Sequence, residues 1–312
     1  VTTDNLRPLT PEDFVGQRKT MGRFAVHAKS AVLRKEPIEH SLLIGPPGSG
    51  KTTMASIIAG MVHDPITCIT LPKSDRVLER AVRTLEGVLF LDEIHRLTSV
   101  QQEAVMALME HGAYPTATGQ IEVEWFTIMG ATTEPQKLIP PFRQKFPIIP
   151  EWEPYTNEEL LQIVTGMCRM VPTGPDEFGI DLPLETRAAL ASAAGGTPRL
   201  ARRLILGARD LITVGQEPTI EAIFDLTGAA IDGLTEGHIR YLQVLEMLGG
   251  TSGIELLSTA LQLHEAVCKE LERLLVKLEM VGYGPRGREL LGAGARRIAK
   301  PRQSRQSRRE AA

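Results

Sequence analysis

Leu42-Leu43-Ile44-Gly45-Pro46-Pro47-Gly48-Ser49-Gly50-Lys51-Thr52-Thr53 is the stretch on which the fold turns. Three consecutive apolar residues read as a buried strand. The pattern G-x-x-x-x-G-K-[ST] follows at residues 45–52, and the apolar segment 53–61 reads as a helix. Strand, glycine loop and helix in that order build a phosphate cradle. The glycines let backbone N–H groups close around phosphate oxygens, and the helix N-terminus adds a partial positive charge. In such a cradle Lys51 reaches the β- and γ-phosphates and Thr52 holds Mg2+.

Working outward, Val88-Leu89-Phe90-Leu91 reads as a parallel strand buried on both faces. It ends in Asp92-Glu93. A carboxylate pair at a strand's C-terminal end suits a nucleotide hydrolase: Asp92 holds or backs the metal, and Glu93 orients and deprotonates the attacking water. A third strand is expected at 125–129, closing with Gly130-Ala131-Thr132-Thr133. A hydroxyl there faces the γ-phosphate and senses it. Side chains alternate along a strand, which favours Thr133 over Thr132 for that position.

Bulk properties bound the answer. The 312 residues leave room for two or three domains. Aromatics are only 4% of the chain, so its core must be mainly aliphatic. No apolar run reaches membrane-spanning length and no leader pattern opens the sequence, so a cytoplasmic protein without a membrane segment is expected. Cys68, Cys168 and Cys268 show no metal-ligand spacing and read as reduced core cysteines. The net charge of −3 hides an asymmetry: residues 296–309 hold seven Lys/Arg and no acid. That tail lacks apolar periodicity and is expected to be disordered. It is either a phosphate-neutralising nucleic-acid contact or a solvated end.

These pieces together resemble AAA+ ATPases and, within them, the RuvB family of Holliday-junction branch-migration motors. The resemblance is carried by Leu6-Arg7-Pro8, Phe14-Val15-Gly16-Gln17, residues 40–53, Leu91-Asp92-Glu93-Ile94-His95-Arg96-Leu97 and Gly130-Ala131-Thr132-Thr133. It continues through Tyr155-Thr156 with Glu158-Glu159-Leu160, Gly196-Thr197-Pro198-Arg199 and Gly284-Pro285-Arg286-Gly287-Arg288, in family order. It implies an α/β P-loop domain with a parallel sheet over 1–153, a helical lid over 154–230, a winged helix over 231–295 and a basic tail over 296–312. It also implies ATP and Mg2+, a homo-hexamer, and branched or duplex DNA as substrate. Leu6 and Arg7 then line the adenine pocket, and Gly48, Gly50, Lys51, Thr52 and Thr53 form the phosphate loop. Tyr155 packs near the nucleotide, and Arg199 reaches the γ-phosphate from the lid. From the residues alone, Arg199 reads as a surface arginine at a helix N-terminus.

The later chain is helical in pattern. Leu160, Ile163, Val164 and Met167 share a face, and 182–194 and 198–214 continue the pattern. Helices expected at 235–248, 253–262 and 264–279 lead into Val281-Gly282-Tyr283-Gly284-Pro285, which resembles a winged helix.

Three departures from the family bear on function. Lys145 stands where the family carries the arginine finger that reaches a neighbour's γ-phosphate. Lysine keeps the charge and loses the planar fork, and Arg143 is the nearby substitute. Between Glu110 and Trp125 the family's longer hairpin, which docks the partner RuvA, is reduced to a short turn-rich segment, so that contact is expected to be lost or remodelled. Residues 231–295 hold six Lys/Arg against nine Asp/Glu, and Tyr283 replaces one of the family's wing arginines. DNA contact is then expected to rest on Arg286, Arg288 and the tail. A clamp-loader-like switch and a DNA-binding adaptor with little turnover are the competing readings.

Overall fold

A computed structural model of the chain describes residues 6–173, 177–228 and 234–299. The chain divides into two compact units, Val1–Pro183 with Gly196–Arg209, and Leu184–Gly195 with Asp210–Ala312. This division is coarser than the four segments read from the sequence, and the helices of 154–230 are distributed between both units.

The first unit runs α1 (Arg18–Arg34), β1 (Ser41–Ile44), α2 (Lys51–Met61), β2 (Ile66–Thr70), α3 (Asp75–Arg83), β3 (Gly87–Asp92) and α4 (Ser99–His111). It continues with β4 (Ala113–Thr116), β5 (Gly119–Glu122), β6 (Phe126–Thr132), α5 (Pro140–Gln144) and α6 (Asn157–Met170). The main sheet has the order β1-β6-β3-β2, all parallel. A bridge between Ser41 and Ile148 extends the parallel pattern beyond β1. The strand expected at 125–129 runs on to Thr132, because Gly130 pairs with both Leu42 and Leu91. A glycine that would end an isolated strand is held extended between two neighbours.

The sheet's two faces explain the unbroken apolar runs. Leu89, Leu91 and Ile128 belong to one core cluster, with Leu78, Val105 and Phe142. Val88, Phe90 and Met129 belong to the other, with Phe24, Met54 and Ile58. Successive side chains point to opposite faces, and helices cover both, so Val88, Leu89, Phe90 and Leu91 are all apolar. Burying each such side chain contributes about 1.5–3 kcal/mol. The register also brings three C-terminal strand ends to one edge: Ile44 lies beside Thr132, and Leu91 beside Gly130. In open parallel sheets the binding crevice lies outside those ends.

The short segment after α4 is a true hairpin. β4 and β5 pair antiparallel, with Tyr114 opposite Ile121. Both side chains are buried in the first core cluster, and burial pushes the Tyr114 hydroxyl up to about 12. The hairpin's two large apolar residues thus point inward. α4 is bounded by a Thr98–Gln101 capping box and by Gly112 in the left-handed region at φ 65°.

The second unit holds α7 (Leu184–Ala193), the end of α8 (Pro198–Thr213) and α9 (Ile220–Thr227), followed by α10 (Glu236–Met247), β7 (Thr251–Ser252), α11 (Ile254–Leu261) and α12 (Glu265–Lys277). β8 (Val281–Gly284), β9 (Gly287–Leu290) and α13 (Gly292–Ala299) complete it. α10, α11 and α12 each fall inside the windows expected for them from the sequence. They pack around Leu234, Tyr241, Leu245, Leu257, Cys268 and Leu275. The sheet order β7-β9-β8 is antiparallel, and Pro285-Arg286 form the turn between β8 and β9. Three helices with this hairpin make a winged helix.

Two expectations are corrected here. The disordered tail was expected from Arg296, yet α13 includes Arg296 and Arg297, because Ala293 and Ile298 pack on the second unit's core. Residues 300–312, with the remaining basic residues of that tail, lie outside the described residues. Cys168 and Cys268 are buried thiols, whereas Cys68 is exposed on β2, an edge strand that shows alternate residues to solvent. Among the described residues no helix is long and apolar enough to cross a membrane.

Candidate active site

A cavity of about 480 Å3 opens at the C-terminal edge of the parallel sheet. Its lining includes Leu6, Arg7 and Phe14, the glycine loop from Pro47 to Thr53, and Asp92, Glu93, Tyr155, Met167 and Arg199. That volume lies within the range of small-molecule sites.

The loop is shaped by what presses on it. Gly48 has φ 72°, and a Cβ there would lie 2.8 Å from Cβ of Arg199 and 2.9 Å from Cγ2 of Thr197. The start of α8 therefore rests on the loop, and the Arg199 N–H donates to the Gly48 carbonyl at 3.3 Å. The Tyr155 hydroxyl donates to the Ser49 carbonyl at 3.0 Å from the other side. Burial pushes that phenol well above its ordinary value, so it stays a neutral donor. α6 starts just beyond it with a Thr156–Glu159 capping box. These ties hold the backbone N–H groups of the loop in a fixed concave arrangement at the start of α2.

Lys51 is buried, and its ammonium donates to the carbonyls of Gly45 at 2.9 Å and Pro46 at 2.8 Å. Burial lowers its pKa, against the opposing pull of Glu93 and Asp92. Asp92 ends β3, and its Oδ1 accepts the Glu93 N–H at 3.1 Å. Glu93 has a left-handed backbone at φ 56°, uncommon for a residue with a side chain. Gly130 makes room for the turn that follows: a Cβ there would lie 2.8 Å from Cδ1 of Ile94. Thr133 reaches Glu93 Oε2 at 3.5 Å. Thr132 instead points into the core, with its Oγ1 3.0 Å from His95 Nδ1.

His95 was only part of a motif string in the sequence, and the structure makes it a neighbour of the acidic pair. Its side chain is 5% exposed, with Nδ1 3.3 Å from Glu93 Oε2 and Nε2 3.6 Å from Glu134 Oε1. Burial lowers its pKa, against the pull of Glu93 and Glu134. The sequence signal that finds it is the residue itself, three places after Asp92.

The remaining site residues lie elsewhere. Lys145 caps the end of α5 and is ion-paired with Glu110 of α4, so its charge is engaged within its own chain. Arg143 is exposed two residues earlier. Arg286 is exposed at the tip of the β8–β9 turn. Arg288, expected to face DNA, turns inward: it is 15% exposed, and its Nε and Nη2 donate to Glu272 at 2.8 and 3.3 Å. Glu272 is 2% exposed and also accepts from the hydroxyls of Tyr241 at 2.7 Å and Tyr283 at 2.9 Å. Burial alone would raise Glu272, but the hydrogen bonds from Arg288, Tyr241 and Tyr283 outweigh it and hold the carboxyl below its ordinary value. A buried carboxylate drew the wing arginine in, which no local sequence pattern announces.

Known proteins are similar to this chain over nearly its whole length. A family model described as the Holliday junction DNA helicase RuvB P-loop domain matches residues 6–151, and one described as the RuvB C-terminal winged helix domain matches residues 232–298. The Holliday junction branch migration complex subunit RuvB of Pseudothermotoga lettingae is 33% identical, covering 95% of this chain and 90% of that protein. The same subunit from Prochlorococcus marinus (strain MIT 9313) is 34% identical over 96% of this chain and 89% of its own length. The solved Thermotoga maritima RuvB Holliday junction branch migration motor superimposes with a TM-score of 0.81 at 28% identity, covering 96% of this chain and 99% of that one.

Proposed function

Because the chain belongs to the RuvB family, we propose that it is an ATP-hydrolysing motor that drives branch migration of Holliday junctions. The observation that carries this reading is the convergence of Lys51, Thr52, Asp92 and Glu93 on one cavity floored by a glycine loop. Loop N–H groups and Lys51 bind and orient the phosphates, with Arg199 entering from the start of α8. Glu93 orients a water and takes its proton, and Thr133, 3.5 Å from that carboxylate, fits a sensing role. Leu6, Arg7 and Tyr155 bound the cavity where the base and sugar would lie.

Mg2+ fits this donor set. Thr52 and Asp92 line the cavity together, and no group of three or more His, Cys, Asp or Glu able to hold a metal occurs among the described residues. An ion that keeps water and phosphate oxygens as ligands needs only such a pair, and when bound it neutralises phosphate charge.

On the DNA side, Arg286 is the wing contact, with residues 300–312 as a second source of charge. The homo-hexamer and the trans contact through Arg143 or Lys145 belong to the same reading. The inward-facing Tyr114 and Ile121 support a lost or remodelled RuvA contact at the hairpin. The winged helix disfavours the clamp-loader alternative, whereas the Lys145–Glu110 pair favours a low-turnover adaptor as second reading. ATP turnover measured with and without branched DNA, beside Glu93→Gln, separates them. Turnover stimulated by DNA and reduced at least about a hundredfold by Glu93→Gln is expected. Nucleotide-dependent DNA binding without turnover would establish the adaptor instead.

A further inference from the structure

We propose that His95 is the positioning residue for Glu93 and links its carboxylate to the turn that leads into α5. The proposal rests on the reading of Glu93 as the general base. Its basis is a single imidazole enclosed between two carboxylates. On one side Nδ1 lies 3.0 Å from Thr132 Oγ1 and 3.3 Å from Glu93 Oε2. On the other, Nε2 faces Glu134 Oε1 at 3.6 Å, just outside direct hydrogen-bond range. Glu134 is itself held by Lys137 at 2.7 Å, and its N–H donates to Thr132 Oγ1 at 2.9 Å.

A neutral imidazole has one proton to place, and its two positions do different things. With the proton on Nδ1, the ring donates toward Glu93 and holds the carboxylate. With the proton on Nε2, the Nδ1 lone pair accepts from the Thr132 hydroxyl, and the Glu93 carboxylate loses the donor that holds it aimed at a water. Glu134 sets the balance. A shift of a few tenths of an ångström toward Nε2 creates an acceptor there and draws the proton over. Lys137, by competing for the same carboxylate, draws it back.

The turn Pro135–Lys137 leads directly into α5, which carries Arg143 and is capped by Lys145. A displacement of that segment is therefore transmitted to Glu93 through one ring. Glu93 has little other freedom. Its backbone is pinned in the left-handed region, and its carbonyl accepts the Arg96 N–H at 2.8 Å. Only the side-chain torsions remain, and those are what His95 and Thr133 touch.

The test compares three substitutions in the full chain. Asn places an amide nitrogen near the Nδ1 position, Gln near Nε2, and Ala removes both. His95→Ala and His95→Gln should each lower kcat roughly tenfold with KM unchanged, and binding of a non-hydrolysable ATP analogue should stay at wild-type affinity. His95→Asn should restore kcat to within about threefold, a recovery that a merely space-filling role would not show. In a Glu93→Gln background, His95→Ala should cost nothing further, since the two act as a unit. Should His95→Ala fail to fold, the Asn and Gln pair carries the comparison alone. Equal kcat for those two, or wild-type kcat in both Ala and Gln variants while Glu93→Gln is inactive, overturns the proposal and leaves the base assignment standing. Wild-type turnover in Glu93→Gln removes the base assignment itself.

Discussion

At the sheet edge of the first unit, Lys51, Asp92 and Glu93 line an open cavity of about 480 Å3, with His95 behind them. In the second unit the buried Glu272 accepts from Nε and Nη2 of Arg288 and from the hydroxyls of Tyr241 and Tyr283. Both clusters combine cations with carboxylates. The difference is closure. In the first, the loop ammonium is held by carbonyls and the carboxylates face the cavity, so an incoming phosphate finds charge to meet. In the second, each donor has its acceptor, and the cluster serves to lock the wing strand to α12. A charged residue in a family motif therefore signals ligand contact only when its partners leave it a free direction.

The largest expected effect breaks the closed cluster. Arg288→Met leaves Glu272 buried without its cation, and should cost about 3–5 kcal/mol in urea unfolding of the winged-helix transition. Pairing it with Glu272→Leu should recover most of that loss. If Arg288→Met unfolds like wild type but loses DNA affinity, the residue is a DNA contact and the comparison fails.

A smaller effect tests whether closure, rather than location, is the rule. His40 belongs to the first unit but is closed: it stacks on Phe126 at 5.6 Å, its Nδ1 accepts the Ile128 N–H at 3.0 Å, and burial holds it down at about 4. Its ordinary value is 6.5, so below that pH the unfolded chain takes up a proton that the folded chain refuses. Stability from this group is intact above pH 6.5 and falls as the pH drops toward 4. The loss is about 2 kcal/mol at pH 5. His40→Asn, which keeps an acceptor for Ile128, should flatten the decline between pH 7 and pH 5. An unchanged slope would place the acid sensitivity elsewhere.

The smallest expected effect sharpens the DNA side. Arg286→Ala should weaken duplex binding several-fold and reduce the salt slope by about 1, as removal of one phosphate contact does. Its unfolding midpoint should not move, in contrast to Arg288. A DNA titration at two salt concentrations decides it, and an unchanged slope would remove Arg286 from the interface.

Much of this molecule was legible in its residues. β1, β3 and α2 followed from unbroken apolar runs around a glycine loop, and α6 from helical spacing, with α10 to α12 inside the windows read for them. Asp92 and Glu93 could be placed because a strand end has a defined direction. What escaped depended on partners far along the chain. The extension of β6 through Gly130 needed strands on both sides. The inward turn of Arg288 needed a carboxylate sixteen residues earlier, and the engagement of Lys145 needed Glu110 on another helix. The helical start of the basic tail depended on Ala293 and Ile298 finding a core.

The sequence by itself therefore determined the phosphate cradle, the acidic strand end and the class of fold. Each of these is encoded locally, in backbone freedom at glycine and in the period of apolar side chains. Only the tertiary structure decided which charges are available. Whether Arg288, Lys145 or His95 faces solvent, a ligand or a buried partner depends on groups brought together by the sheet register and helix packing. The energy of a charge is set by those neighbours rather than by its own position in the chain.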